Sequence, residues 1–227
     1  RASEDASRPS RSSCVGALID GRYSVQETLG RGAEGVVLRA RDEGLGRDVA
    51  IKVIASRAEE RYAGAAEAFQ REARTLATIR SPHVAAIYAF GPHGESFFFA
   101  MEYIRGRTLA ELIERHRENG ETVPFGVATD LLARIAEGVG AAHAAGVVHR
   151  DIKPSNIVVE DDTGRPVLVD FGIATPLAHH REIGGTPGFS APEQFLGDEV
   201  GPRADVYALA ATAFDLSNGT CDGTGAA

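Results

Sequence analysis

The sequence predicts an α+β fold in two parts, a small antiparallel sheet with one helix followed by a mainly helical region. Three observations carry this. Between Tyr23 and Ile54, β-branched segments alternate with glycine-bearing turns. Beyond Leu109, apolar residues recur at steps of three and four. The character changes near Arg105–Gly106, which marks a boundary between the two parts.

Residues 1–15 are rich in Ser and Arg and carry almost nothing to bury, so they read as a disordered tail. The first part then runs over residues 16–105. Strands are expected at Tyr23–Leu29, Val36–Arg41 and Val49–Ile54, with a Gly-rich turn between the first two. A helix follows between about Glu59 and Ile79, then two strands, "VAAIYAF" and "SFFFAMEYI", around the turn "GPHGE". The second part, residues 106–217, opens with the helices "LAELIERHRENG" and "FGVATDLLARIAEGVGAAHAAG". In the latter, Leu131, Leu132, Ile135, Val139 and Ala142 fall at helical spacing and Gly146 supplies the stop. "ADVYALAATAFDL" is apolar almost all round if helical, and such a helix requires cover on every side. Residues 218–227 read as a flexible tail.

At 227 residues with 43% hydrophobic content the chain has the material for a core. A net charge of −8 disfavours nucleic acid or an anionic membrane as the principal partner. Cys14 and Cys221 sit near opposite ends without metal-ligand spacing, which fits a reducing, cytoplasmic location. No apolar run is long enough to span a bilayer, and the first residues lack a signal-peptide core.

In "LGRGAEGVVLRA", Gly30, Gly32 and Gly35 lie between two strands, where backbone N–H groups can approach phosphate oxygens; an ordinary hairpin turn is the other reading of the same glycines. Lys52 places an ammonium inside the apolar strand "VAIKVI" and needs a carboxylate partner if buried. Glu72 lies on the stripe formed by Phe69, Leu76 and Ile79 and is the candidate; alternatively Lys52 reaches out along its strand and Glu72 marks the stripe's edge. "VVHRDIKPSNIVVE" presents Asp151, Lys153 and Asn156 on a loop between two apolar runs, and "VLVDFG" adds Asp170 at the end of a strand. The oxygens of Asn156 and Asp170 suit Mg²⁺, which leaves Asp151 to accept a hydroxyl proton.

Taken together, "GRGAEGVV", "VAIK", Glu72, "HRDIKPSN", "DFG" and "APE" resemble the protein kinases, and "RYSVQETLGRGAEGVVLRARD" with "HRDIKPSNIVV" looks most like the bacterial serine/threonine kinases of the eukaryotic type. The resemblance runs from about Tyr23 to Asn218 and implies the two-lobed kinase fold and an ATP-dependent, Mg²⁺-assisted transfer of phosphate to Ser or Thr of protein substrates, possible autophosphorylation included. By similarity, Gly30, Gly32 and Gly35 cover the ATP phosphates, Lys52 held by Glu72 contacts the α- and β-phosphates, Asp151 is the base, Lys153 steadies the γ-phosphate, and Asn156 and Asp170 hold Mg²⁺. Thr186 in "GGTPGFSAPE" resembles the threonine that contacts the catalytic Asp and Lys. Met101 stands as gatekeeper, Glu102 to Ile104 as the hinge, Val37 and Ala50 on one adenine face and Val158 on the other. Leu76, Ile87, His149 and Phe171 form the implied hydrophobic spine, and Asp205 bonds to the His149–Arg150 backbone. His143 is expected as a buried structural residue, and His179 and His180 as an exposed loop pair.

Several features depart from the family pattern. Glu34 puts a carboxylate at the tip of the Gly-rich loop, and the segment from Asp170 to Glu193 is short, which leaves Arg150 few candidate phosphate partners among Thr175, Thr186 and Ser190. Glu193 is expected to lack its usual Arg, and the helix "PRADVYALAATAFDL" to lack its cover, because the chain is expected to stop inside the domain. A nucleotide-binding pseudokinase that acts through a partner is therefore the competing reading; a small-molecule phosphotransferase is disfavoured by "GTPGFSAPE".

Overall fold

The computed structural model describes residues 15–32, 35–55, 65–94, 96–171, 186–196 and 198–218. Cys14, Glu34, Thr175, His179, His180, Cys221 and the two expected tails, Val15 and Asn218 apart, lie outside the described residues. The chain divides into two compact units, Arg1–Arg57 with Tyr88–Tyr103, and Ala58–Ile87 with Ile104–Ala227.

The first unit carries a six-stranded sheet: β1 (Leu18–Ile19), β2 (Tyr23–Gly32), β3 (Gly35–Asp42), β4 (Arg47–Ala55), β5 (Ile87–His93) and β6 (Ser96–Glu102), in the order β1-β2-β3-β4-β6-β5. The expected Gly-rich turn is not a turn over its whole length. Strand pairing continues through it, Gly30 opposite Val37 and Gly32 opposite Gly35, so the glycines form the end of a long hairpin. Gly35 itself has φ +146°, and a Cβ there would overlap the Val53 carbonyl of β4. The strand expected from Val84 starts at Ile87 instead; Val84 makes an isolated parallel bridge to Leu168.

Antiparallel register sorts the side chains onto two faces. Leu38, Ile51 and Ala100 are directly opposite one another, and with Tyr23, Val49 and Phe98 they make a dry core. Tyr23 meets Phe98 edge-on, ring centroids 5.8 Å apart. The other face carries the rungs Val37–Lys52–Phe99 and Arg39–Ala50–Met101. The β3–β4 turn is built on Asp42, fully buried, which accepts two bonds from Arg22 at 2.7 and 2.8 Å and the amides of Gly44 and Leu45. The Arg22 guanidinium holds the Asp42 carboxyl below the usual carboxylate range.

The second unit contains α1 (Ala65–Leu76), β7 (Gly106–Thr108), α2 (Leu109–Glu118), α3 (Phe125–Ala144), β8 (Ile157–Glu160), β9 (Pro166–Leu168), α4 (Pro192–Leu196) and α5 (Pro202–Asn218). A three-stranded sheet, β7-β8-β9, joins the helices, and its first strand was not legible in "RGRTL". Thr108 ends that strand and caps α2 in a reciprocal box: its hydroxyl accepts from the Glu111 amide and the Glu111 carboxylate accepts from the Thr108 amide at 2.8 Å. Helix α3 buries Leu131, Ile135, Val139 and Ala142 as its spacing predicts, and packs on α5 and β9. Gly138 lets the segment around His83 lie against α3, since a Cβ there would come within 2.8 Å of the His83 carbonyl oxygen. Helix α5 buries Ala204, Asp205, Ala208, Thr212 and Leu216 while Val206, Tyr207 and Phe214 are exposed. Among the described residues no helix is long and apolar enough to cross a membrane.

Candidate active site

Gly146, at φ +78°, turns the chain out of α3 and sends Val147–Asn156 across the second unit. His149 is buried and packs against Phe171, with ring centroids 4.4 Å apart and planes tilted by 44°, in the contact expected of the spine; Leu76 is buried and Ile87 half-buried. The His149 ring is bonded at both nitrogens: Nδ1 accepts from the Asp151 amide at 3.3 Å, so Nε2–H donates to the Val169 carbonyl at 3.2 Å. Burial lowers its pKa against the opposing pull of Asp205, Asp151 and Asp170.

Arg150 follows at φ +69°, left-handed backbone that a non-glycine residue adopts only when its surroundings hold it. Two buried side chains hold it here. Asp205 Oδ1 accepts the Arg150 amide at 2.8 Å, while Gln194 Nε2 donates to the Arg150 carbonyl at 2.8 Å. Asp205 Oδ2 also accepts the His149 amide and His143 Nε2, each at 2.8 Å. His143 is half-buried rather than fully buried, because it reaches Asp205 from the edge of α3.

The backbone so fixed delivers Asp151 into a cluster of polar side chains. Asn156 Nδ2 donates to its Oδ2 at 2.9 Å and to its main-chain carbonyl at 2.8 Å. Thr186 Oγ1 donates to Asp151 Oδ1 at 3.0 Å and accepts from Lys153 Nζ at 2.8 Å, and Lys153 Nζ also lies 2.7 Å from Asp151 Oδ2. Pro154–Asn156 wind into a single 3-10 turn, which is what brings Asn156 back to Asp151. The Val169 amide donates to the Asn156 carbonyl at 2.9 Å, extending the β8–β9 pairing to the residue before Asp170. Asp170, half-buried, is itself left-handed at φ +61°. With its nitrogen spent on Asp151, Asn156 has Oδ1 left as an oxygen donor, and the Asp170 carboxylate is the other donor expected from the sequence. That suits Mg²⁺, which keeps waters and shares phosphate oxygens, and does not suit an all-protein metal cage.

The remaining expected site residues divide between the units. In the first, Val37, Ala50, Lys52 and Met101 share one sheet face; Lys52 is 3% exposed. Glu102 closes β6, and Gly30, Gly32 and Gly35 sit at the hairpin end. In the second, Val158 packs on Ala85, Ile104 and Val167, and Glu72 lies on α1. Gln194 was missed by sequence reasoning, since one amide side chain on a short helix carries no signal that distinguishes it from a surface residue.

The protein kinase domain model matches residues 23–222. The chain belongs to the protein kinase family. Within it, the kinase domain is 37% identical over 217 residues to the serine/threonine-protein kinase PknL of Mycobacterium tuberculosis, covering 92% of this chain and 52% of that protein. PknA of the same organism is 34% identical, with 90% of this chain and 48% of that protein covered. The chain therefore spans about half the length of the curated relatives it matches. Among solved structures, the PknI kinase domain of M. tuberculosis superimposes with a TM-score of 0.74 at 30% identity, covering 91% of this chain and 77% of that one. The two-part α+β architecture expected from the sequence is that kinase fold.

Proposed function

We propose that the chain is the catalytic domain of a serine/threonine protein kinase that transfers the γ-phosphate of Mg·ATP to protein hydroxyls. The observation that carries this is the Asp151 carboxylate held at 3.0 Å or less by Asn156, Thr186 and Lys153 together. Asp151 accepts the proton of the incoming Ser or Thr hydroxyl as its oxygen bonds to the γ-phosphorus and the bond to the ADP oxygen breaks. Lys153 supplies positive charge beside the transferring phosphoryl group, and Lys52, for which the kinase resemblance implies Glu72 as partner, orients the α- and β-phosphates. Gly30, Gly32 and Gly35 offer backbone amides to the phosphates, while Val37, Ala50, Met101 and Val158, with the main chain of Glu102–Ile104, receive the adenine. Asn156 and Asp170 would hold Mg²⁺, which would neutralise phosphate charge. The sparse cysteine usage supports a cytoplasmic location for the reaction.

Incubation with labelled ATP and Mg²⁺ tests this against Asp151→Asn, for which transfer falls roughly 10²- to 10⁴-fold. Equal label in both proteins rejects the kinase reading. A nucleotide-dependent rise in Tm without transfer selects the pseudokinase instead.

A further inference from the structure

Arg39 occupies a singular place in the first unit. It sits on the same rung as Ala50 and Met101, on the face that also carries Val37 and Lys52. Its guanidinium lies 5.0 Å from the centroid of the Tyr103 ring, the residue that follows β6 by one position. Nε and Nη2 both donate to Asp48 Oδ2, at 3.2 and 2.6 Å, and Nη1 donates to Glu27 Oε1 at 3.0 Å. Arg41 occupies the other Asp48 oxygen at 2.9 Å, so Asp48 is fixed from both sides. Glu27 is directly opposite Arg39 on β2, in the short stretch between two register shifts, Val25/Glu27 and Thr28/Gly30. That stretch is the stem of the hairpin that ends in Gly30, Gly32 and Gly35. A planar fork can make these contacts at once; a lysine ammonium cannot.

We propose that Arg39 is a positioning residue for nucleotide binding, joining Tyr103 to the stem of the glycine hairpin and thereby setting affinity for ATP. This rests on the kinase reading above. Irregular pairing on either side of Glu27–Thr28 leaves that stem free to slip, and the Arg39–Glu27 pair holds one of its two regular rungs, the other being Thr28 opposite Leu38. The stack on Tyr103 in turn restrains the main chain of Glu102–Tyr103, the stretch that reads the adenine edge. Arg39 touches no reacting atom, so its loss acts on binding and not on the transfer step.

The test measures kcat and KM for ATP, together with direct titration by a fluorescent ATP analogue, in wild type, Arg39→Met, Arg39→Lys and Glu27→Gln. Arg39→Met raises KM and the analogue's Kd together by about fivefold with kcat within about twofold, and Arg39→Lys falls between it and wild type. Glu27→Gln breaks only an exposed pair, leaves folding intact and shows the same split at about twofold, which keeps the test decisive if Arg39→Met unfolds. An unchanged KM and Kd in Glu27→Gln and in the folded Arg39 variants overturns the proposal, as does a fall in kcat alone. Wild-type protein that binds no nucleotide overturns the kinase reading and this one with it, whereas wild-type binding with insensitive variants overturns this one alone.

Discussion

Asp205 and Arg150 are 55 positions apart in sequence and joined by a 2.8 Å bond from the Arg150 amide to Asp205 Oδ1. That bond stabilises left-handed backbone whose intrinsic cost is about 1–3 kcal/mol. Asp205→Ala leaves the amides of His149 and Arg150 and the His143 ring without their acceptor. The expected loss is about 3 kcal/mol of unfolding free energy in a urea titration, accompanied by loss of transfer. A loss below about 1 kcal/mol contradicts the assignment.

Gly35 and its neighbours in the same motif respond differently to alanine. A Cβ at Gly35 meets the Val53 carbonyl, whereas at Gly30 and Gly32 it meets nothing within 4 Å. Gly35→Ala therefore lowers stability by about 1–3 kcal/mol, and Gly30→Ala and Gly32→Ala stay within about 0.5 kcal/mol of wild type. Thermal unfolding of the three variants side by side separates a backbone requirement from one imposed by the ligand.

Thr186 bridges Asp151 and Lys153 through one hydroxyl. Thr186→Val removes the bridge at nearly constant volume, and kcat is expected to drop about tenfold with Tm nearly unchanged; Thr186→Ser restores most of it. Loss of activity in the serine variant equal to that in valine would mean that the methyl group and not the hydroxyl matters.

Stability is expected to fall as pH drops below about 6.5, the ordinary value for histidine. His149 has a folded pKa below that value, so the unfolded chain binds the proton first and the neutral, buried ring stabilises the fold fully only above it. Asp42, Asp48 and Glu160 act lower. Their Arg partners depress them below the ordinary values of 3.8 for the two aspartates and 4.5 for the glutamate, so their contribution is lost beneath those values. Urea midpoints measured from about pH 7.5 down to about pH 2 show two separate declines, and His149→Gln flattens the upper one.

Much of the fold was legible because its signals are local. Strand alternation around Ile51 and Phe98, the spacing of Leu131, Ile135 and Val139, and the stop at Gly146 each depend on a few neighbouring residues. The cluster of Asp151, Lys153 and Asn156 is local too, being carried on one short loop. The two-residue strand at Leu18, the strand at Gly106 and helix α4 escaped notice because each is too short to show a period. The Gly-rich stretch read as a turn because glycine disfavours strands, yet pairing with β3 carries it to Gly32.

The kinase motifs, their order and the chemical types they bring to the site are written along the chain. How they are held is a matter of folding: Asp205 and Gln194 grip the Arg150 main chain at its N–H and its C=O, Thr186 reaches Asp151, and Arg39 shares a rung with Ala50 and Met101. The difference is one of range. Propensity and periodicity are properties of adjacent residues, whereas a buried donor takes whichever acceptor the packing brings within about 3 Å, from anywhere along the chain.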